Sequence, residues 1–154
     1  MIQRIQSIYL LLAGIFAALA CAAPCALFTG AQPEAACTLY GCHYAAEPAA
    51  EALFTYPFGV TLMTALCTAL PLIVIFGYKN RKRQISHVNL AMLLNVAWYA
   101  VCAAYCFAAA KRTGFEVAPS FGLVFPALSL LALYMAKRGI KHDEALVRAA
   151  DRIR

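Results

Sequence analysis

Charge is scarce in this sequence of 154 residues, and the places that lack it say most about the molecule. Asp, Glu, Lys and Arg together make up 13% of the chain, against 64% hydrophobic residues. A soluble domain carries roughly twice that charged fraction, so an ordinary water-soluble globular fold is excluded and lipid is the expected solvent. Four long stretches, residues 5–28, 54–78, 88–110 and 117–136, contain no Asp, Glu, Lys, Arg or His at all. Ion pathways and proton relays through a bilayer are marked by buried ionisable groups, and these stretches offer none. Also missing are a Gly-rich phosphate loop, a Ser-His-Asp arrangement and a zincin motif, which removes the common hydrolases and nucleotide-driven enzymes. No cofactor motif is present.

The four uncharged stretches are each long enough to cross a hydrocarbon core of about 30 Å, which takes about 20 helical residues. Helices are required because no water is available there to satisfy backbone amides. The expected fold is therefore an all-α integral membrane protein, a single membrane domain built as a four-helix bundle, with an outer loop at 29–53 and a tail at 137–154.

Orientation follows from the cations. Of the 13 Lys and Arg residues, all but two fall at one end: Arg4, Lys79, Arg81, Lys82, Arg83, Lys137, Arg138, Lys141, Arg148, Arg152 and Arg154. Lys111 and Arg112 alone belong to the other. Cytoplasmic segments carry the Lys/Arg excess, so both termini and the 78–85 loop are expected in the cytoplasm. The 29–53 segment holds Glu34, Glu47 and Glu51 and no cation, as a translocated loop would. A net charge of +6 arranged this way points to anionic headgroups rather than to nucleic acid. A competing reading makes the first stretch a cleaved secretory signal with Cys21 lipidated. That stretch runs on to Phe28, longer than a usual signal core, and Ala18-Leu19 is a poor lipidation motif.

Small residues four apart let helices approach closely in lipid. Ala13, Ala17, Cys21 and Cys25 form one such stripe in the first stretch, and Ala100, Ala104 and Ala108, or Cys102, Cys106 and Ala110, in the third. Thr61, Thr64, Thr68, Asn89 and Asn95 are expected to bond between helices. Trp98, near mid-span, reads as a packing residue. Pro24 and Pro57 fall near helix ends, while Pro71 and Pro126 are deep enough to kink their helices.

Seven cysteines are the one suggestive chemical pattern. Six fall in the outer half, and an oxidising compartment would let Cys37 and Cys42 close a disulfide. A bolder reading is an envelope thiol-disulfide oxidoreductase resembling the quinone-linked enzymes that reoxidise a periplasmic disulfide catalyst. Against it, the loop pair is spaced Cys-x4-Cys, the second outer loop lacks cysteine, and pairs four apart on one helix bridge poorly. Cysteine as a small apolar filler accounts for Cys21, Cys25, Cys67, Cys102 and Cys106. A metal site from Cys37, Cys42 and His43 falls short of the four ligands structural zinc takes, and no metal is expected.

In the tail, Lys137-Arg138-Gly139 marks the exit of the last span. Asp143 is expected to cap a short separate helix with a Glu144–Arg148 pair. Lying at the headgroups, that helix would turn its basic residues to anionic lipid; a docking peptide for a cytoplasmic protein is the alternative. Lys79, Arg81, Lys82, Arg83, Lys137, Arg138, Lys141, Arg148 and Arg152 are the expected contacts with lipid or partner.

Three segments carry a family likeness: Met1-Ile2-Gln3-Arg4-Ile5-Gln6-Ser7-Ile8-Tyr9-Leu10-Leu11-Leu12, Tyr78-Lys79-Asn80-Arg81-Lys82-Arg83-Gln84-Ile85, and the tail from Ile140 to Arg154. Together they resemble an uncharacterised family of small four-helix membrane proteins from Bacteroidetes-type bacteria, a domain of unknown function. The resemblance implies the inner membrane of a diderm bacterium and brings no activity, cofactor or catalytic residue. The cysteines lie outside these segments. The expectation is thus a non-enzymatic structural or interaction component acting through its basic loop and tail, with the thiol-disulfide enzyme as its rival.

Overall fold

The computed structural model describes residues 3–29, 35–38, 41–44, 58–77, 81–113 and 116–151. Four helices dominate: α1 (Gln3–Ala22), α2 (Phe58–Phe76), α3 (Arg81–Thr113) and α4 (Val124–Asp151). All four are long and apolar enough to cross a membrane. Each packs on its two neighbours in the ring α1, α2, α3, α4 and back to α1.

Because every face of such a helix is apolar, hydropathy does not choose the face that turns inward; shape and local polarity do. The buried positions recur three and four apart on every helix. They are Gln6, Leu10, Ala13, Ala17 and Ala20 on α1, and Val60, Thr64, Cys67, Pro71 and Val74 on α2. On α3 they are Val88, Ala91, Asn95, Trp98 and Cys102, and on α4 Ser129, Leu133, Ala136, Ile140 and Asp143. That mean spacing of about 3.5 is the seam of a bundle packed side by side with a left-handed supercoil. Ala13 and Ala17 belong to the seam as expected. On α3 the stripe Ala100, Ala104, Ala108 is exposed and the face through Cys102 turns inward. Trp98 is too large for a groove between small residues, so the face that carries it sets the rotation of the helix.

The expected all-α architecture needs a correction at one end. Four short strands, β1 (Ala26–Thr29), β2 (Ala35–Thr38), β3 (Gly41–Tyr44) and β4 (Glu116–Pro119), form an antiparallel sheet in the order β3-β2-β1-β4. The first apolar stretch therefore does not run as helix to Phe28: α1 stops at Ala22, and Ala26 to Phe28 pair with β2 and β4. Pro24, which has no N–H to give a helix, lies beyond the end of α1. The fourth stretch likewise opens as strand, since Val117, Ala118 and Pro119 pair with Phe28, Leu27 and Ala26.

Pro126 accordingly lies in the first turn of α4, where an N–H is not needed, instead of deep in a span. Pro71 is inside α2 and buried. Pro57 lies outside the described residues. The tail is not a separate helix, because α4 continues unbroken through Lys137, Arg138 and Gly139 to Asp151.

Two layers make the core. At the sheet end, Ala17, Cys25, Ala26, Val60, Cys67, Trp98 and Cys102 pack together. At the other end, Leu10, Ala13, Val74, Val88, Ala91, Ala132, Leu133, Ala136 and Ile140 do so with no cysteine among them. At 1.5 Å per residue α1 and α2 are about 30 Å long, whereas α3 and α4 reach about 50 and 42 Å. The longer pair must project beyond an apolar slab that the shorter pair just spans.

Candidate functional site

The sheet end holds the densest chemistry among the described residues. Cys25 lies in the bend between α1 and β1, and its backbone is fixed from two sides. The Ser120 N–H donates to the Cys25 carbonyl at 3.3 Å and the Gly122 N–H to the Pro24 carbonyl at 3.1 Å. Gly122 has to be glycine, since a β-carbon there would collide with the Pro24 carbonyl group. The bend is thereby clamped onto the entrance of α4. It delivers the Cys25 side chain, buried, against α3, where the Cys102 thiol makes hydrogen-bond contact with both Cys25 and Cys106. Cys21 and Cys106 line the same cluster and Cys67 lies in the same layer. Cys21, Cys25, Cys67, Cys102 and Cys106 are thiols, joined by no disulfide.

The walls around these thiols are tied by polar bonds suited to a dry interior. Trp98 Nε1 donates to Thr64 Oγ1 at 2.6 Å, and Thr64 Oγ1 donates to the Val60 carbonyl at 2.9 Å. The Tyr99 hydroxyl donates to the Leu123 carbonyl at 2.6 Å, joining α3 to the entrance of α4. The Gly59 N–H donates to the Tyr105 hydroxyl at 3.3 Å, joining α2 to α3. Thr64 and Thr68 also bond their own helix, Thr68 Oγ1 donating to the Thr64 carbonyl. Asn89 is exposed, and Asn95, though buried, donates to the Ala91 carbonyl of its own helix, so neither takes the interhelical role expected of it.

Cys37 and Cys42 stand directly opposite each other in the β2–β3 ladder. Opposed residues of an antiparallel pair have Cα atoms about 4.5 or 5.5 Å apart, inside the 4.4–6.8 Å range of disulfides. The same row continues inward, because Cys37 is opposite Ala26, the residue after Cys25. His43 belongs to the next row, opposite Ala36. Among the described residues no group of three or more His, Cys, Asp or Glu is arranged to hold a metal ion.

The opposite end gathers the cations. Arg81 and Lys82 open α3, with Arg83 exposed in the same turn; Arg138 and Lys141 are exposed on α4 and Lys137 is half-buried. Arg148 lies on the last stretch of α4, and Lys79 and Arg152 lie outside the described residues. This end is held by a buried pair that sequence reasoning missed. Asp143, expected as a helix cap, is in mid-helix and buried, and Gln6 Nε2 donates to its Oδ2. Gly139 permits the approach: a β-carbon there would stand 3.0 Å from Gln6 Cγ. A glutamine one turn inside an apolar helix, with an acid on a segment it must face, was the available signal.

Comparison with known protein families bears out the coarse part of the likeness, a domain of unknown function. The family model described as Domain of unknown function (DUF4293) matches residues 2–153. The chain belongs to this family. All three likeness segments fall almost wholly within the match, and so do both chemical ends of the DUF4293 bundle. No match is found among the curated proteins.

Proposed function

We propose that this DUF4293 protein is a multi-pass component of the inner membrane of a diderm bacterium of the Bacteroidetes type, with both termini in the cytoplasm. Its role is structural or interactive rather than enzymatic. The basic end binds anionic headgroups, and the projecting last turns of α4 present a docking segment to a cytoplasmic protein. The observation that carries this reading is the one-sided placement of cations: Asp143 of α4 meets Gln6 near the start of α1 and the helix runs on to Asp151, and Arg83, Arg138 and Lys141 are exposed at that end. Each such cation near an anionic leaflet contributes about 1 kcal/mol. A photoreactive residue in place of exposed Leu146 tests it in growing cells. A discrete cytoplasmic protein adduct is expected; adducts to lipid alone would remove the partner.

A second reading, a thiol-disulfide oxidoreductase of the envelope, is favoured by one observation, the contact of Cys25, Cys102 and Cys106 beside the sheet.

A further inference from the structure

Cysteine as a small apolar filler explains a buried thiol on one helix face, but it does not explain two thiols brought into contact across a bundle. Helices α1 and α3 stand on the diagonal of the ring, each packed on α2 and α4. The bend after α1 carries Cys25 over to α3, where it meets Cys102, both buried, in the layer that holds Trp98. We propose that Cys25 and Cys102 are a modification site, a dithiol that a small disulfide such as oxidised glutathione converts reversibly into a Cys25–Cys102 bond latching the sheet end. This goes beyond both readings above, since the bond needs neither a cytoplasmic partner nor a protein substrate. Only its occupancy in cells rests on the proposed orientation, which turns the sheet end to the oxidising side.

The choice of partners follows from geometry. Cys102 also touches Cys106, but residues four apart on one helix send their Cα–Cβ bonds the same way, whereas a disulfide brings the two Cβ atoms to about 3.5–4.5 Å. Cys25 reaches Cys102 from a separate element and escapes that constraint. Its backbone is held from behind, by Ser120 on its own carbonyl and by Gly122 on the carbonyl of Pro24. A bond from its sulfur to α3 would therefore join α1, α3 and the entrance of α4 at one point. Trp98, one turn before Cys102, already ties α3 to Thr64 of α2. The oxidant must be small, because both sulfurs lie in the buried layer, where the disulfide of a folded protein cannot enter.

The exchange takes two steps. The Cys25 thiolate attacks one sulfur of oxidised glutathione, the S–S bond of glutathione breaks, and one glutathione leaves with the proton that Cys25 gave up. The Cys102 thiolate then attacks Sγ of Cys25, forming the Cys25–Cys102 bond and releasing the second glutathione, which takes the proton lost by Cys102. Two electrons pass from the pair to the small disulfide, through a mixed disulfide as is usual for such exchange.

The test uses the full chain, purified in detergent, equilibrated with oxidised glutathione, digested at acid pH and mapped by fragment mass. Cys25–Cys102 is expected as the main form of both residues in wild type and in Cys106→Ser, and is lost on adding dithiothreitol. The one tryptophan of the chain, Trp98, reports whether each sample keeps the folded environment. Folded wild type in which Cys25 and Cys102 stay thiols or carry only glutathione, or in which Cys102 is bridged to Cys106 or Cys25 to Cys21, overturns the proposal. The latch itself is read from thermal unfolding, because a cross-link restricts the unfolded chain. Oxidation should raise the midpoint of wild type several degrees more than that of Cys25→Ser, or of Cys102→Ala should Cys25→Ser lose the wild-type fluorescence; an equal rise overturns it. A bond that forms in the purified chain and is absent from cells quenched in acid upholds the site and counts against the orientation alone.

Discussion

The two ends of this bundle solve the same problem, closing four apolar helices, by opposite means. At the sheet end, backbone ladders stitch the chain leaving α1 to the chain entering α4. Tyr99 and Tyr105 add bonds from α3 to the starts of its neighbours. At the basic end there is no strand among the described residues, and the buried pair of Gln6 with Asp143 ties the first helix to the last instead. The first end gathers the thiols; at the second, α4 runs on past the start of α1 into a charged segment. On the proposed function, the difference separates stability and interaction along the axis. Substitutions at the sheet end should cost the whole fold, while those at the basic end should loosen only that end.

Trp98→Ala should break the sheet end most severely. The indole is buried and bonded to Thr64, and an emptied aromatic site of this kind costs about 3–5 kcal/mol. Thermal unfolding in detergent should show a large fall in midpoint. Gly122→Ala comes next, at about 1–3 kcal/mol, since overpacking must push the Cys25 bend away from α4. It should also expose Cys25 to maleimide, which Trp98→Phe should do far less.

Gln6→Leu probes the contrast from the other side. Taking the donor from a buried carboxylate costs about 1–3 kcal/mol, and replacing both partners with apolar residues should restore most of it. Amide hydrogen exchange should quicken in residues 137–151 and not around Trp98; a uniform rise would show that the ends are not independent. The smallest effect is expected for Ser129→Ala. It removes the 2.9 Å bond from Ser129 Oγ to the Ala13 carbonyl, and interhelical bonds of this sort in membrane proteins average about 0.6 kcal/mol.

The four helices were legible because uncharged length is a direct physical demand of the bilayer. The sheet was not. Ala26, Leu27 and Phe28 are as apolar as the helix before them, so hydropathy counts an apolar strand as a further turn of span. Pro24 was the sign that the helix had to stop, as Pro119 was for the strand before α4. Helix rotation was half legible. The alanine stripe on α1 marked a true contact, whereas α3 has small residues on two faces and the bulk of Trp98 decides between them. The meeting of Cys25 with Cys102 could not be read from spacing, because it joins residues far apart in sequence through a bend that only the pairing of β1 with β4 fixes. Cys37 and Cys42 were already singled out as a pair by their loop position, and the β2–β3 register adds that they stand opposite each other.

The central claim is that the charged, sheet-free end faces the cytoplasm and the sheet faces the envelope. The most direct test fuses a reporter that fluoresces only in the cytoplasm, or a phosphatase active only outside it, after Arg154 and, separately, within residues 45–50. The account predicts fluorescence without phosphatase activity at the first position and phosphatase activity without fluorescence at the second. The reverse pattern, or the same reporter active at both positions, would contradict it.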